Sequence, residues 1–267
     1  MGDGVIYVYG IAAGLVDVAR APRGVDDAAV RAERECGLTV LCSLLDSSTY
    51  AGGEAEARSG DVEWIGPRAV AHDTVLTWAS GIADVVPFPM LTLFSGVASL
   101  RVMLQERGAE LLETIARVSG AEEYTLRVFQ VKGMATNEAL SRMSSGLAEL
   151  ERRMAVAAPG QRYLLERKLE QARRDELLII GAAVASEVCE TLSAHASGVV
   201  RDALPASAAD STGRAVLDAS FLVKRDVVAG FSAAVGALAH RYEPSGFRFE
   251  FTGPWPVYHF VRPKLDA

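Results

Sequence analysis

Tyr124-Thr125-Leu126-Arg127-Val128-Phe129-Gln130-Val131-Lys132-Gly133 decides how the chain is organised. Tyr124, Leu126, Val128 and Gln130 alternate with Thr125, Arg127, Phe129 and Val131, the period of two that a strand imposes, and Gly133 closes the run. Upstream, Val5-Ile6-Tyr7-Val8-Tyr9-Gly10 and Leu38 to Leu45 are apolar, β-branched or aromatic runs that read as strands. Arg20 to Cys36 is polar and weakly periodic, and Ser47 to Asp61, with three glycines, reads as a loop. Val70, Val75, Leu76 and Ala79 predict a helix from Pro67 to about Gly81. Leu100, Met103, Leu104, Leu111 and Ile115 predict another from about Gly96 to Val118. Between them, Ala83 to Phe94 is apolar but broken by Pro87 and Pro89, which suits an edge strand or an irregular extended piece. The order strand, strand, helix, strand, helix, strand predicts an α+β domain of ferredoxin-like type over residues 1–132, with helices on one face of its sheet.

Downstream of Gly133 the period lengthens. Two helices are predicted, interrupted at Pro159-Gly160, and the second runs from about Gln161 to Leu204 before Pro205. They form a helical hairpin. Ala206 to Gly213 reads as a linker, Val216 to Val223 as a strand, and Val227, Val228, Phe231, Val235 and Leu238 mark a helix. Phe247, Phe249 and Phe251 then alternate with Arg248 and Glu250, so one aromatic strand face needs cover. Residues 133–267 are therefore a second α+β domain with a long helical hairpin and a small sheet.

The 267 residues carry a net charge of −7, which disfavours nucleic acid and anionic membrane surfaces, since both reward basic proteins. Cys36, Cys42 and Cys189 have no metal-ligand spacing and no even count for a disulfide framework, and a reducing cytoplasm fits them. The amino terminus lacks the layout of a signal peptide, and the Ala-rich stretch from Leu177 to Val188 is too short and too charged to span a membrane.

Little points to catalysis. No phosphate-binding or dinucleotide glycine pattern is present, and His72, His195, His240 and His259 lie far apart without the spacing of a zinc site. Ser95 lacks the first glycine of a nucleophile elbow. The run from Arg162 to Glu176 mixes both signs of charge, as a solvated helix face does. No cofactor and no metal are expected, and the chain does not read as an enzyme.

The carboxyl-terminal segment resists so bland a reading. Gly253-Pro254-Trp255-Pro256-Val257-Tyr258-His259-Phe260 is similar to the closing GPWPPYxF motif of the GvpL/GvpF family of gas vesicle proteins. Tyr7-Val8-Tyr9-Gly10-Ile11 resembles that family's opening YxYGI strand, and Ala121 to Val128 its central GxxEWxxKV strand. Pro159 to Lys168 resembles its GxxYLxxK helix start, and Ala219 to Val223 its AxYLV strand. One departure stands out: after Val86-Pro87 the family pattern continues Leu-Arg-Phe-Gly, and this chain has Phe88-Pro89-Met90-Leu91, without the arginine or the glycine.

The resemblance implies a non-enzymatic cytoplasmic accessory protein that binds the small hydrophobic shell protein and other vesicle proteins during gas vesicle assembly. The alternative is a ferredoxin-like small-molecule-binding or enzymatic module, because that fold hosts many activities. Trp255, Tyr258 and Phe260 are the candidate functional residues. They either dock the tail onto the folded body, burying all three rings, or form part of a partner-binding surface.

Overall fold

The computed structural model describes residues 4–50, 53–131, 145–204 and 213–261. Helices and two antiparallel sheets build two compact units, one of residues 1–123 with 254–267 and one of residues 124–253.

In the first unit, β1 (Gly4–Ala13) pairs antiparallel with β3 (Leu38–Asp46), and β3 pairs with β2 (Arg31–Glu35). On its other side β1 takes two short strands, β4 (Val85–Pro87) and β5 (Leu93–Phe94). The polar β2 was not legible as a strand, because Arg-Ala-Glu-Arg-Glu has no apolar alternation. It is an edge, where charged side chains deter unwanted pairing.

Every residue of β1 from Val5 to Ala12 is buried, so the sheet is covered on both faces rather than one. Helix α1 (Val62–Ser80) packs Trp64, Val75, Leu76 and Ala79 on the face that carries Tyr7, Tyr9 and Leu41. Helix α2 (Val97–Val118) brings Gly108 to the Leu38 side chain, which projects from the opposite face of β3. The α1 helix also begins five residues ahead of Pro67. The Asp61 carboxylate accepts from the N–H groups of Glu63 at 3.1 Å and Trp64 at 3.3 Å, a cap that stabilises a helix by about 1 kcal/mol. Two short helical turns, Ser47–Tyr50 and Glu54–Ala57, occupy the stretch read as a loop.

The second unit is a four-stranded sheet in the order β7-β8-β6-β9. Its strands are β6 (Ala121–Val131), β7 (Gly198–Arg201), β8 (Gly213–Lys224) and β9 (Phe247–Trp255). Helices α3 (Ser145–Ala155) and α4 (Pro159–Ser193) form the hairpin, and α5 (Val228–Tyr242) lies between β8 and β9 in sequence. The α4 helix stops eleven residues short of Leu204, because Gly198-Val199-Val200-Arg201 is drawn into pairing with β8. Tyr124 stacks on Phe251 with ring centroids 5.3 Å apart, and Phe231 tilts against Phe221 and Phe251, so the aromatic face of β9 is covered as its alternation requires.

The expected ferredoxin-like arrangement needs β6 as the last strand of the first sheet. That strand instead pairs with β8 and β9, leaving the first sheet with the connectivity β-β-β-α-β-β-α. Compactness therefore changes hands between Glu123 and Tyr124, inside β6, and again between Gly253 and Pro254, rather than once after Lys132. The Lys132-Gly133 boundary, like the linker read from Ala206 onward, lies outside the described residues except for Gly213, which begins β8. Period-two alternation identifies a strand but carries no information about its neighbours, so the pattern of β6 is compatible with either sheet.

Candidate functional site

Three of the segments singled out above belong to the first unit: the start of β1, the start of β6 and the tail after Gly253. Gly253 has φ 127°, a backbone region open to glycine. Strict alternation would put Trp255 on the face of Phe247, Phe249 and Phe251. It is instead 42 % exposed, so the burial expected of this ring is not what the structure shows.

After Trp255 the chain tightens into turns. The Tyr258 N–H donates to the Pro256 carbonyl at 2.7 Å and the Phe260 N–H to that of Val257 at 3.3 Å. Val257 and Val261 are buried, and Tyr258 and Phe260 half-buried. The tail is thus anchored by two valines that the aromatic pattern did not mark. Tyr258 packs against the core that holds Tyr7, Tyr9 and Trp64. Burial, reinforced by the Asp73 and Glu123 charges, pushes its phenol well above the usual range, so it stays protonated.

The firmest tie is polar. Glu123 is 1 % exposed, and a carboxylate so buried needs donors. The His259 backbone N–H gives one to Oε2 at 2.9 Å, and the His259 ring Nδ1 lies 2.5 Å from Oε1. Neither residue was a candidate from sequence. The signal available was that Glu123 occupies the glutamate of the central motif, while His259 occupies the open position of the closing one. A bond donated by the backbone leaves the side chain at that position free to vary.

Beneath the tail lies a second polar group. Tyr7 Oη is 2.8 Å from His72 Nδ1 and receives the Leu91 N–H at 3.4 Å. Tyr9 Oη is 2.9 Å from Ser43 Oγ and receives the Val25 N–H at 2.9 Å. Burial outweighs the Phe88 backbone and pulls His72 down to about 4, so its ring is neutral. Two glycines make the arrangement possible. A Cβ on Gly24 would lie 1.9 Å from Tyr9 Oη, and one on Gly10 would lie 2.8–2.9 Å from Val85, Leu76 and the Val86 carbonyl.

The segment that departs from the family pattern is a turn in which the Thr92 N–H bonds the Pro89 carbonyl at 3.2 Å. Its third residue, Leu91, has φ 65°, where glycine is the usual choice. Leu91 stands at the position of the missing glycine.

Among the described residues no group of three or more His, Cys, Asp or Glu side chains is placed to hold a metal ion, and no helix is long and apolar enough to cross a membrane.

Comparison with known proteins agrees with the motifs. The family described as "Gas vesicle synthesis protein GvpL/GvpF" matches residues 5–262. Gas vesicle protein L of Streptomyces sp. (strain CB03234) is 25 % identical over 261 residues, covering 97 % of this chain and 93 % of that protein. Gas vesicle protein L1 of Halobacterium salinarum is 24 % identical over 213 residues, covering 75 % and 72 %. The crystal structure of GvpF from Anabaena sp. PCC7120 superposes with a TM-score of 0.73 at 18 % identity, over 98 % of this chain and 99 % of that one. GvpF from Microcystis aeruginosa gives 0.68 at 16 % identity, over 98 % and 100 %.

Proposed function

We propose, since this chain belongs to the GvpL/GvpF family of gas vesicle synthesis proteins, that it supports gas vesicle assembly by binding the small hydrophobic shell protein and other vesicle proteins, without catalysis. A shell subunit with a gas-facing apolar surface aggregates in water before assembly, and a partner that covers that surface keeps it usable.

The observation that carries the reading is the split within the tail. Val257, Val261 and the Glu123–His259 pair hold the segment to the first unit, while Trp255 keeps 42 % of its surface in solvent. Tyr258 and Phe260 then serve docking, and Trp255 meets the partner, a role for which exposed tryptophan is well suited. The test is Trp255→Ala in the full chain, read by thermal melting, by capture of purified shell protein and by vesicle formation in cells. The expected result is an unchanged melting temperature with capture lost. Unchanged capture with normal vesicles would overturn the assignment of Trp255.

A further inference from the structure

We infer that the surface around Leu15 is a self-association site, at which a second copy of this chain docks.

Leu15 follows β1 and is 82 % exposed, yet it is not on a loose loop. The preceding Gly14 is tied on both sides, its N–H donating to the Gly37 carbonyl of the β2–β3 turn at 2.9 Å and its own carbonyl accepting from Thr39 Oγ1 of β3 at 2.5 Å. The result is an apolar knob held out into water. It stands between two open hollows. One, of about 440 Å³, is walled by Leu15, Val16, Trp78 and the 56 % exposed Ile82, with Asp17 and Arg20 at its rim. The other, of about 290 Å³, is walled by Leu15, Cys36 and Leu38, with Arg34 and Glu35 at its rim.

A knob and a hole side by side on one surface are self-complementary. A two-fold axis between them sends each copy's Leu15 into the other's hollow. Charge selects the same occupant. The chain as a whole carries −7 and repels itself, but this rim carries two acids and two arginines and is locally neutral. Among the described residues Arg20 and Arg34 have no acidic partner of their own, whereas an antiparallel second copy offers Asp17; Glu35 is already held within the chain by Arg101 at 3.7 Å and Gln105 at 3.3 Å. A basic partner would meet the arginines and an acidic one the carboxylates, so a copy of the chain itself suits the rim best.

The structure also supplies the reporter. Cys36 is exposed on the wall of the second hollow, while Cys42 and Cys189 are buried, so a thiol reagent applied to the native protein marks this patch. The experiment measures mass by sedimentation and Cys36 labelling rate from low micromolar to the highest attainable concentration. It uses the full chain, Leu15→Asp and Arg20→Glu. The expected result is a mass rising from 28.4 kDa towards twice that value, with labelling slowing in step. Each variant should weaken association by about tenfold or more at unchanged melting temperature, the scale of a central interface anchor. A constant 28.4 kDa with concentration-independent labelling overturns the inference, as does a dimer that both variants leave intact. So does labelling that slows only when purified shell protein is added, which would give the patch to that protein instead.

Discussion

The carboxylate of Glu123 holds the backbone N–H of His259 at 2.9 Å, across 136 residues of sequence. Because Glu123 is buried, removing its acceptor oxygens strands the N–H it satisfied, and removing only its charge does not. Glu123→Ala should therefore destabilise the protein by about 2–3 kcal/mol, and Glu123→Gln by about 1. Denaturant melts compare the two, and proteolysis should cut the 256–261 tail sooner in the alanine variant. Equal melts for all three proteins would show that the contact does not anchor the tail.

Leu91 permits a test in which the usual ranking of residues reverses. At an ordinary site alanine is favoured over glycine, but at φ 65° an L-residue costs roughly 1–2 kcal/mol that glycine does not. Leu91→Gly and Leu91→Ala both delete the side chain, so lost packing cancels between them. The glycine variant should be more stable by about 1 kcal/mol. Greater stability of the alanine variant would mean the turn relaxes to a different backbone in solution.

His72 makes stability depend on pH. Its folded pKa of about 4 lies below the ordinary 6.5, so the unfolded chain binds the extra proton between these values. The contribution is fully present above about pH 6.5 and is lost as the pH falls through the folded value, for a total of about 3 kcal/mol. Unfolding in urea at pH 7.5 and at pH 5 measures the slope, and His72→Gln should flatten it. An equal slope in that variant would assign the effect to other groups.

Gly24 and Tyr9 should be energetically coupled. A methyl group at Gly24 would press on the Tyr9 hydroxyl, and overpacking of this kind costs about 1–3 kcal/mol. Tyr9→Phe removes the oxygen that blocks it, so the double variant should lose less than the two single losses added together. Strict additivity in calorimetric melts would place the strain elsewhere.

Most elements were legible because burial writes itself into the sequence as periodicity. β1, β3, β6, β9 and the helices α1, α2 and α5 follow from the spacing of their apolar residues. What periodicity omits is partnership. Arg31–Glu35 pairs through its backbone without burying any side chain fully, and β6 gives no sign in Tyr124 to Val131 of which sheet it joins. In the tail, the pattern marks the aromatic residues, while Val257 and Val261 are the better buried and Trp255 is 42 % exposed. Leu91 is the opposite case. Its departure from the family pattern is visible in the sequence, and the positive φ there is one that glycine adopts without strain.

The first unit draws on residues 254–261 to cover the core around Tyr7, and those residues leave the ribosome only after the whole of 124–253. At translation rates of ~5–20 residues per second, that delay is on the order of ten seconds. The second unit closes at nearly the same moment, because its last strand, β9, runs directly into that segment. Through that wait, the apolar surface of residues 1–123 that the tail covers is what a chaperone would meet.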